Sequence, residues 1–258
     1  YFQRPGKSQG AWMTEFRTQE MRNGTRIAPL VVNVFNFTRP LGDAEALLSL
    51  EEVETLFHEF GHALHALLSN VTWASLAGTN VARDFVELPS QFMENWAVDR
   101  RVMRSYARHH KTGEIIPDEM LDAIERSRRF NQGFETTEYL AAAILDMAWH
   151  KMPPLSPDTS VTDFEHQLLA EKGLLPQIAP RYRSTYFAHI FSGGYSAGYY
   201  SYIWAAVLDA DAFAAFTEKP DLFDADTAAL FADCILSKGD ADDPMVLFRK
   251  FRGRQPDI

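Results

Sequence analysis

Five consecutive residues, His58-Glu59-Phe60-Gly61-His62, contain the pattern His-Glu-x-x-His, whose residue types and spacing suit a metal ion. On an α-helix, side chains four residues apart project from one face, so both imidazoles can reach the same ion. Imidazole nitrogens are good ligands for Zn²⁺, and a catalytic zinc keeps three protein ligands and one position for water. Glu59 can then act on that water as a general base. The motif therefore predicts a zinc site that activates water.

The segment around this motif is predicted to be a helix over about 51–69. Ser49 is a suitable N-cap, and Glu52 three residues later completes a capping box. Apolar residues recur at three- and four-residue spacing, which indicates one buried face. Gly61 lowers the helix propensity by roughly 1 kcal/mol, so we expect close packing or a ligand there.

The third metal ligand is not within the motif. A metzincin site would require Gly at position 65 and His at position 68, and the chain has His65 and Leu68. At 1.5 Å per residue, His65 lies roughly 10 Å along the helix from His58, so packing or an outer hydrogen bond is its expected role. The remaining option is a carboxylate from a later helix. Glu87, at the start of a helix predicted over about 87–109, is in a suitable position.

Ligating histidines usually need a carboxylate partner for the second ring nitrogen. Asp84 and Glu94 are the nearest candidates, and Glu94 lies two turns after Glu87 on the same helix face. A glutamate in such a position is more often solvated than functional, so both interpretations stay open for Glu94.

The segments before the zinc helix are predicted to form a small β-sheet. Two stretches within residues 11–38, 11–17 and 29–38, are rich in residues that favour strands, and they are predicted to pair across a turn at Asn23-Gly24. An edge strand beside a zinc helix can hold an extended peptide by backbone pairing. The alternative, a strand that only supports the helix, is equally compatible with the pattern.

The rest of the chain is predicted to be mostly helical, over 117–152, 161–172 and 227–251. We treat the four histidines outside the motifs as surface or packing residues because they lack metal-ligand spacing: His109, His110, His150 and His166. The fold class is therefore mainly α with a small β-sheet, and residues 1–258 are predicted to be one catalytic domain.

Composition limits the classes of function. The net charge of −10 argues against a nucleic-acid partner. The lone Cys234 excludes an internal disulfide, and no apolar run approaches the ~18 residues of a membrane span. We expect a cytoplasmic monomer that has no membrane partner.

A second stretch whose residues could take part in catalysis runs from Pro180 to Trp204, and it is rich in tyrosine and glycine. The pair Gly193-Gly194 would let a loop move. Tyr199 and Tyr202, three residues apart at a predicted helix start, share a face. A neutral phenol can donate a hydrogen bond to an oxyanion. The alternative is plain aromatic packing, which the zinc motif makes less favoured.

Together these stretches resemble the thimet oligopeptidase family of zinc peptidases, and within it the bacterial peptidyl-dipeptidases. The resemblance covers essentially the whole chain, and its segments are NGTRIAPLVVNVFNFTRP, TLFHEFGHALH, ARDFVELPSQFMENW, PRYRSTYFAHIFSGGYSAGYYSYIW and LFRKFRGRQP.

The resemblance implies zinc ligands at His58, His62 and Glu87, with Glu59 as general base. It also implies roles in substrate binding and oxyanion stabilisation for a set within residues 186–217: His189, Gly193, Gly194, Tyr195, Tyr199 and Tyr202. Family chains are much longer, and a helical N-terminal half forms the opposite wall of a deep, narrow cleft. This chain is therefore expected to be the zincin-like catalytic half of a two-lobed metallopeptidase that acts on short peptides.

Three functions remain open at this point. The resemblance implies release of C-terminal dipeptides, for which Arg181, Arg183 or the tyrosines could anchor the substrate carboxylate. An endo-acting oligopeptidase of the same family needs no such anchor. A non-catalytic zinc or peptide-binding module would need a fourth protein ligand to close the site, and the sequence offers none.

Overall fold

The computed structural model describes residues 2–153, 156 and 158–257. By its internal contacts the chain divides into two compact units. Unit 1 comprises Tyr1–Ala107 and Ile203–Ile258, and unit 2 comprises Arg108–Tyr202. That all 258 residues act as one catalytic domain stays a prediction. Within the described ranges, no helix has the length and apolar character needed to cross a bilayer.

Unit 1 begins with four short strands. Strand β1 (Trp12–Arg17) pairs antiparallel with β4 (Leu30–Val34), which confirms the predicted pairing. Between them, β2 (Glu20–Arg22) and β3 (Thr25–Ile27) form a separate hairpin that the sequence analysis missed. Its turn, Asn23-Gly24, has φ values of 50° and 76°, as a tight two-residue hairpin requires. Among the residues that the structure describes, the four strands thus form two small sheets, not one.

Helix α1 (Leu50–Leu68) carries the His-Glu-x-x-His motif, with bounds one residue from those predicted. Its capping box is present. Ser49 Oγ accepts a hydrogen bond from the Glu52 N–H at 3.2 Å, and Glu52 Oε2 accepts one from the Ser49 N–H at 3.0 Å. This reciprocal pair satisfies two backbone donors at the helix start and fixes where the helix begins.

The helix predicted over 87–109 is wrong as a single element. It is divided into α2 (Leu88–Val98) and α3 (Arg100–Tyr106). Asp99 lies between them in an extended conformation, and its carboxylate accepts a hydrogen bond from the Arg101 N–H at 2.9 Å. This N-cap starts a new helix, which explains the break. Pro89 lies in the first turn of α2, as predicted.

Unit 2 is helical, and the predicted run over 117–152, interrupted near Gly133, is confirmed as two helices. These are α4 (Asp118–Ser127) and α5 (Gln132–Lys151). Helix α6 (Val161–Glu171) and the single turn α7 (Ala188–Phe191) follow. One hydrophobic cluster of unit 2 contains the buried residues Ala142, Ala143, Phe187, Ile190 and Tyr199. This hydrophobic cluster joins α5 to the tyrosine- and glycine-rich stretch.

The chain continues into unit 1 through α8 (Ser201–Thr217), followed by α9 (Ala225–Phe231), a π-helical turn (Ala232–Leu236) and α10 (Pro244–Arg252). These helices and α2 enclose the main core of unit 1, in which the largest fully buried side chains include Phe85, Leu88, Leu208, Leu222, Ile235, Leu247 and Phe248. The core holds the first turn of α2, the turn that Glu87 precedes. The fold is mainly helical, as predicted.

Candidate functional site

Helices α1 and α2 bring together the three predicted metal ligands. Nε2 of His58 and Nε2 of His62 each lie 3.3 Å from Oε2 of Glu87. One ligand atom from each residue lies within 4.8 Å of the others, so a single ion can contact all three. The Glu87 side chain is 1% exposed, whereas the two histidines keep 19% and 12% of their side-chain surface. The site is therefore open on the histidine side.

Glu94 contacts His58, the first histidine of the motif. This contact agrees with a functional role for Glu94 and not with a solvated glutamate. Its Oε1 lies 2.5 Å from Nδ1 of His58, so the ring is held with Nε2 towards Glu87. Burial lowers the pKa of His58, but hydrogen bonds to Glu87 and Glu94 and their charges outweigh burial and raise the pKa to about 10. The surroundings thus favour positive charge at this place. The corresponding role of Asp84 stays a prediction.

Glu87 is oriented by a neighbour that the sequence analysis missed. Oγ of Ser90, which is fully buried, donates a hydrogen bond to Oε2 of Glu87 at 2.8 Å. Burial would raise the pKa of Glu87, but His62 and His58 hold it well below its usual range. The signal available in the sequence was a serine three residues after the glutamate in a first helical turn.

Glu59 is the motif's predicted general base. It is buried, with 5% of its surface exposed, and its Oε2 has no hydrogen-bond partner among the described residues. The backbone N–H of Met13 in β1 donates to the same carboxyl group. Burial raises the pKa of Glu59, and the charges of His58 and His62 partly offset that rise. A buried carboxylate with a spare oxygen can accept a proton from a nearby molecule.

The donor set fits a metal ion. Two imidazole nitrogens and one carboxylate oxygen form the ligand set of a catalytic zinc with an open position. His62 Nδ1 is buried without a hydrogen-bond partner among the described residues, as is Oε2 of Glu59. In the part of the chain that the structure describes, the cluster contains only these three potential ligands. A closed structural zinc site, which takes four protein ligands, is therefore less well supported.

His65 lies outside the cluster, as its helical position predicts. It is fully buried, and neither ring nitrogen has a hydrogen-bond partner among the described residues. Burial, with a smaller contribution from His62, lowers the pKa of His65 to about 3. Its role is packing as a neutral ring, and the alternative of an outer hydrogen bond is not supported.

In unit 2 the structure brings four of the predicted residues into one aromatic cluster. The His189 ring centroid lies 6.1 Å from that of Tyr195, 5.7 Å from Tyr199 and 6.5 Å from Tyr202. Tyr195 and Tyr202 stack at 5.3 Å. His189, Tyr195 and Tyr202 are partly exposed, so this face of the aromatic cluster can meet a ligand.

Tyr199 differs from the prediction. Helix α8 begins at Ser201, so Tyr199 lies in the preceding turn and does not share a helix face with Tyr202. It is 3% exposed and stacks on Tyr139 at 5.2 Å. Burial raises the pKa of its phenol. These observations favour a packing role over direct substrate contact.

The glycine pair precedes this turn. Gly194 has a φ of 82°, which favours glycine, and a Cβ on Gly193 would lie 2.9 Å from Cα of His189. Both glycines are exposed. Their substrate contact stays a prediction.

Of the two arginines suggested as anchors for a carboxylate, Arg183 has a partner in unit 2. Its Nη1 donates to Oε1 of Glu165 at 3.0 Å. Arg181 lies beside Tyr182 and Tyr199. Burial lowers the pKa of Arg181, but the two phenols outweigh burial, so the pKa is raised. Both arginines thus have partners in unit 2, and the role of either as a carboxylate anchor stays a prediction.

His58, His62 and Glu87 form a possible metal site beside Glu59, and this arrangement is typical of proteins with a His-Glu-x-x-His motif. The family model described as Peptidase family M3 matches residues 1–258. The chain belongs to this family.

Among its relatives, a dipeptidyl carboxypeptidase of Salmonella typhimurium and one of Escherichia coli are each 45% identical over 259 residues. An oligopeptidase A of Escherichia coli is 39% identical over 264 residues. Each of these comparisons covers 100% of this chain but only 38% of the relative. The chain thus spans well under half of the length of the curated relatives it matches.

Proposed function

We propose that the protein is a zinc-dependent peptidase that releases dipeptides from the C-termini of short peptides. The observation that carries the proposal is the approach of His58, His62 and Glu87 within 4.8 Å of one another, beside the buried carboxyl group of Glu59. Family membership and 45% identity to two dipeptidyl carboxypeptidases favour this function over a non-catalytic zinc module.

Each residue of the site has a separate role in the proposed reaction. His58, His62 and Glu87 would hold the ion, which when bound lowers the pKa of water and polarises a carbonyl group. Glu59 removes a proton from the attacking water and returns it to the leaving amine. Glu94 and Ser90 keep His58 and Glu87 in their ligating orientations.

Tyr202, with His189 or Tyr195, is proposed to donate hydrogen bonds to the oxyanion that forms when water attacks the peptide carbonyl. Removal of one such donor typically costs on the order of 10²–10³ in rate. The exposed face of the aromatic cluster supports this role, since a donor must be reachable by substrate. The remaining length of the relatives is proposed to supply the opposite wall of a substrate cleft, so we expect low activity from these 258 residues alone.

The second candidate function is endo-acting cleavage of oligopeptides. The observation that favours it is 39% identity to an oligopeptidase A over the whole chain. The two functions differ in one requirement, because an enzyme that releases dipeptides must recognise the free carboxylate of its substrate.

The experiment that separates them uses the full-length protein, zinc and two matched peptides, one with a free C-terminal carboxylate and one amidated. Products are followed over time by mass spectrometry. Stepwise loss of dipeptides from the free acid alone supports the first proposal. Internal cuts in both peptides support the oligopeptidase, and intact peptides in the presence of bound zinc would contradict both.

A further inference from the structure

Asp146 is a buried carboxylate of α5 that the proposed mechanism does not use. Its side chain has no exposed surface. Oδ1 accepts a hydrogen bond from the Ala197 N–H at 2.9 Å, and Oδ2 accepts one from the Tyr199 N–H at 2.9 Å. Oδ1 also lies 2.7 Å from Nδ1 of His150. Both oxygens are thus used, and two of their partners are backbone donors 51 and 53 residues away.

The turn that Asp146 holds has an unfavourable backbone. Ala197 has a φ of 52°, a left-handed conformation that residues with a Cβ rarely adopt. Such a conformation persists only where its surroundings impose it. The hydrogen bond from the Ala197 N–H to Asp146 is a contact that imposes it.

Helix α5 holds the same turn at a second point. The hydroxyl of Tyr139 donates to the carbonyl oxygen of Tyr199. Tyr139 and Asp146 are seven residues apart, so they lie on one face of α5. Between them the buried Ala142 and Ala143 present only methyl groups, which lets the turn lie close to the helix.

The turn lies between two residues of the aromatic cluster. Tyr195 precedes it and Tyr202 follows it, and their rings stack at 5.3 Å. Any change in the backbone at 197–199 changes the distance and angle between these rings. The contacts of Asp146 therefore determine where the partly exposed phenols point.

We propose that Asp146 is a positioning residue that holds the turn 196–200 so that Tyr195 and Tyr202 are oriented for the reaction. This inference rests on the proposed peptidase function. Nδ1 of His150 lies 2.7 Å from Oδ1 of Asp146, so His150, which was expected to be a surface or packing residue, contacts the carboxylate that holds the turn.

The test compares Asp146→Asn with Asp211→Asn in the full-length protein with zinc. Asp211 is also a buried aspartate with both oxygens in use, but its partners are Arg252 and Arg254. The control variant loses a buried charge without a change in the tyrosine turn. We expect Asp146→Asn to lower kcat about 10- to 100-fold with less than a threefold change in KM. We expect Asp211→Asn to lower Tm and keep kcat within twofold.

Two further measurements separate positioning from general destabilisation. Amide hydrogen exchange of the peptide that contains Ala197 and Tyr199 should be at least tenfold faster in Asp146→Asn and unchanged in Asp211→Asn. Addition of Ala197→Gly to Asp146→Asn should restore kcat at least threefold, because glycine adopts a positive φ without strain.

Three results would overturn the inference. The first is an unchanged kcat in Asp146→Asn while the wild-type protein cleaves peptides. The second is an equal loss of kcat in both aspartate variants, and the third is unchanged exchange of the turn. Absence of wild-type turnover with zinc bound is a different result, since it would overturn the proposed function and the catalytic part of this inference together.

Discussion

Gly61 of α1 and Pro89 of α2 meet backbone to backbone. A Cβ built on Gly61 would lie 2.3 Å from the carbonyl oxygen of Pro89 and 2.6 Å from Cα of Ser90. No side chain fits in this space. The absence of a Cβ lets the two helices approach closely enough to bring ligand atoms of His58, His62 and Glu87 within 4.8 Å of one another. The glycine within the His-Glu-x-x-His motif is therefore a packing requirement of the candidate metal site.

Gly61→Ala should destabilise the protein and weaken metal binding. Overpacking against a backbone that cannot move typically costs about 1–3 kcal/mol. The control is Gly133→Ala in α5, where a Cβ would meet nothing within 4 Å. The control should be neutral or stabilise by about 0.5–1 kcal/mol. Chemical denaturation and zinc titration measure both effects, and equal behaviour of the two variants would contradict the packing argument.

Glu94→Ala should weaken zinc binding about 10- to 100-fold, because His58 loses the carboxylate that orients its ring. The matched control is Glu51→Ala, an exposed glutamate in the first turn of α1. Competition with a chelator of known affinity gives the zinc Kd of each variant. A wild-type Kd in Glu94→Ala would show that the short contact has no part in metal binding.

His65 is expected to make the stability of the folded protein sensitive to acid. Its folded pKa is about 3 and that of an unfolded histidine is about 6.5. Between these values the unfolded chain binds more protons, so the contribution to stability is present above pH 6.5 and is lost as the pH falls towards 3. Between pH 7.5 and 5 this loss amounts to about 2 kcal/mol.

His65→Met replaces the imidazole by an apolar group of similar volume and removes the titration. The metal-free variant should therefore lose about 2 kcal/mol less than the wild type between pH 7.5 and 5. Urea denaturation at both pH values, in the presence of a chelator, measures the difference. The exposed His166 gives the control variant His166→Met, for which the wild-type pH dependence is expected. An unchanged pH dependence in His65→Met would contradict the assigned pKa.

Tyr202→Phe should lower kcat on the order of 10²–10³ and leave KM within a few-fold, since a donor to the oxyanion acts mainly in the transition state. Tyr186→Phe is the control, because that phenol lies in a short 3-10 helix and is 58% exposed. Steady-state kinetics on one peptide gives both constants. A change in KM alone would assign Tyr202 to ground-state binding instead.

The sequence predicted those parts of the site whose determinants are local. The bounds of α1 were predicted to within one residue because Ser49 and Glu52 form a capping box within four residues. Glu94 was named because ligating histidines need carboxylate partners. The break at Asp99 was missed, since an aspartate inside an apolar periodic pattern does not reveal that it caps a new helix.

Contacts between distant segments that no motif or known ligand requirement connects were beyond sequence reasoning. Asp146 and Ala197 are 51 residues apart, and no periodicity connects them. The burial of Tyr199 likewise depends on Tyr139, 60 residues earlier. Helical spacing suggested that Tyr199 and Tyr202 share a face, but α8 begins only at Ser201. The left-handed turn before the helix decides where each ring points.

In the proposed mechanism, one zinc ion held by His58, His62 and Glu87 acts together with the general base Glu59. The most direct test measures zinc content and peptide turnover in the same samples of full-length wild-type protein and Glu59→Gln. We expect about one zinc per chain in both proteins and a loss of turnover of at least 10³-fold in the variant, since Glu59 is proposed to be the general base and not a ligand. Near-normal turnover in Glu59→Gln with zinc bound would show that Glu59 is not the general base.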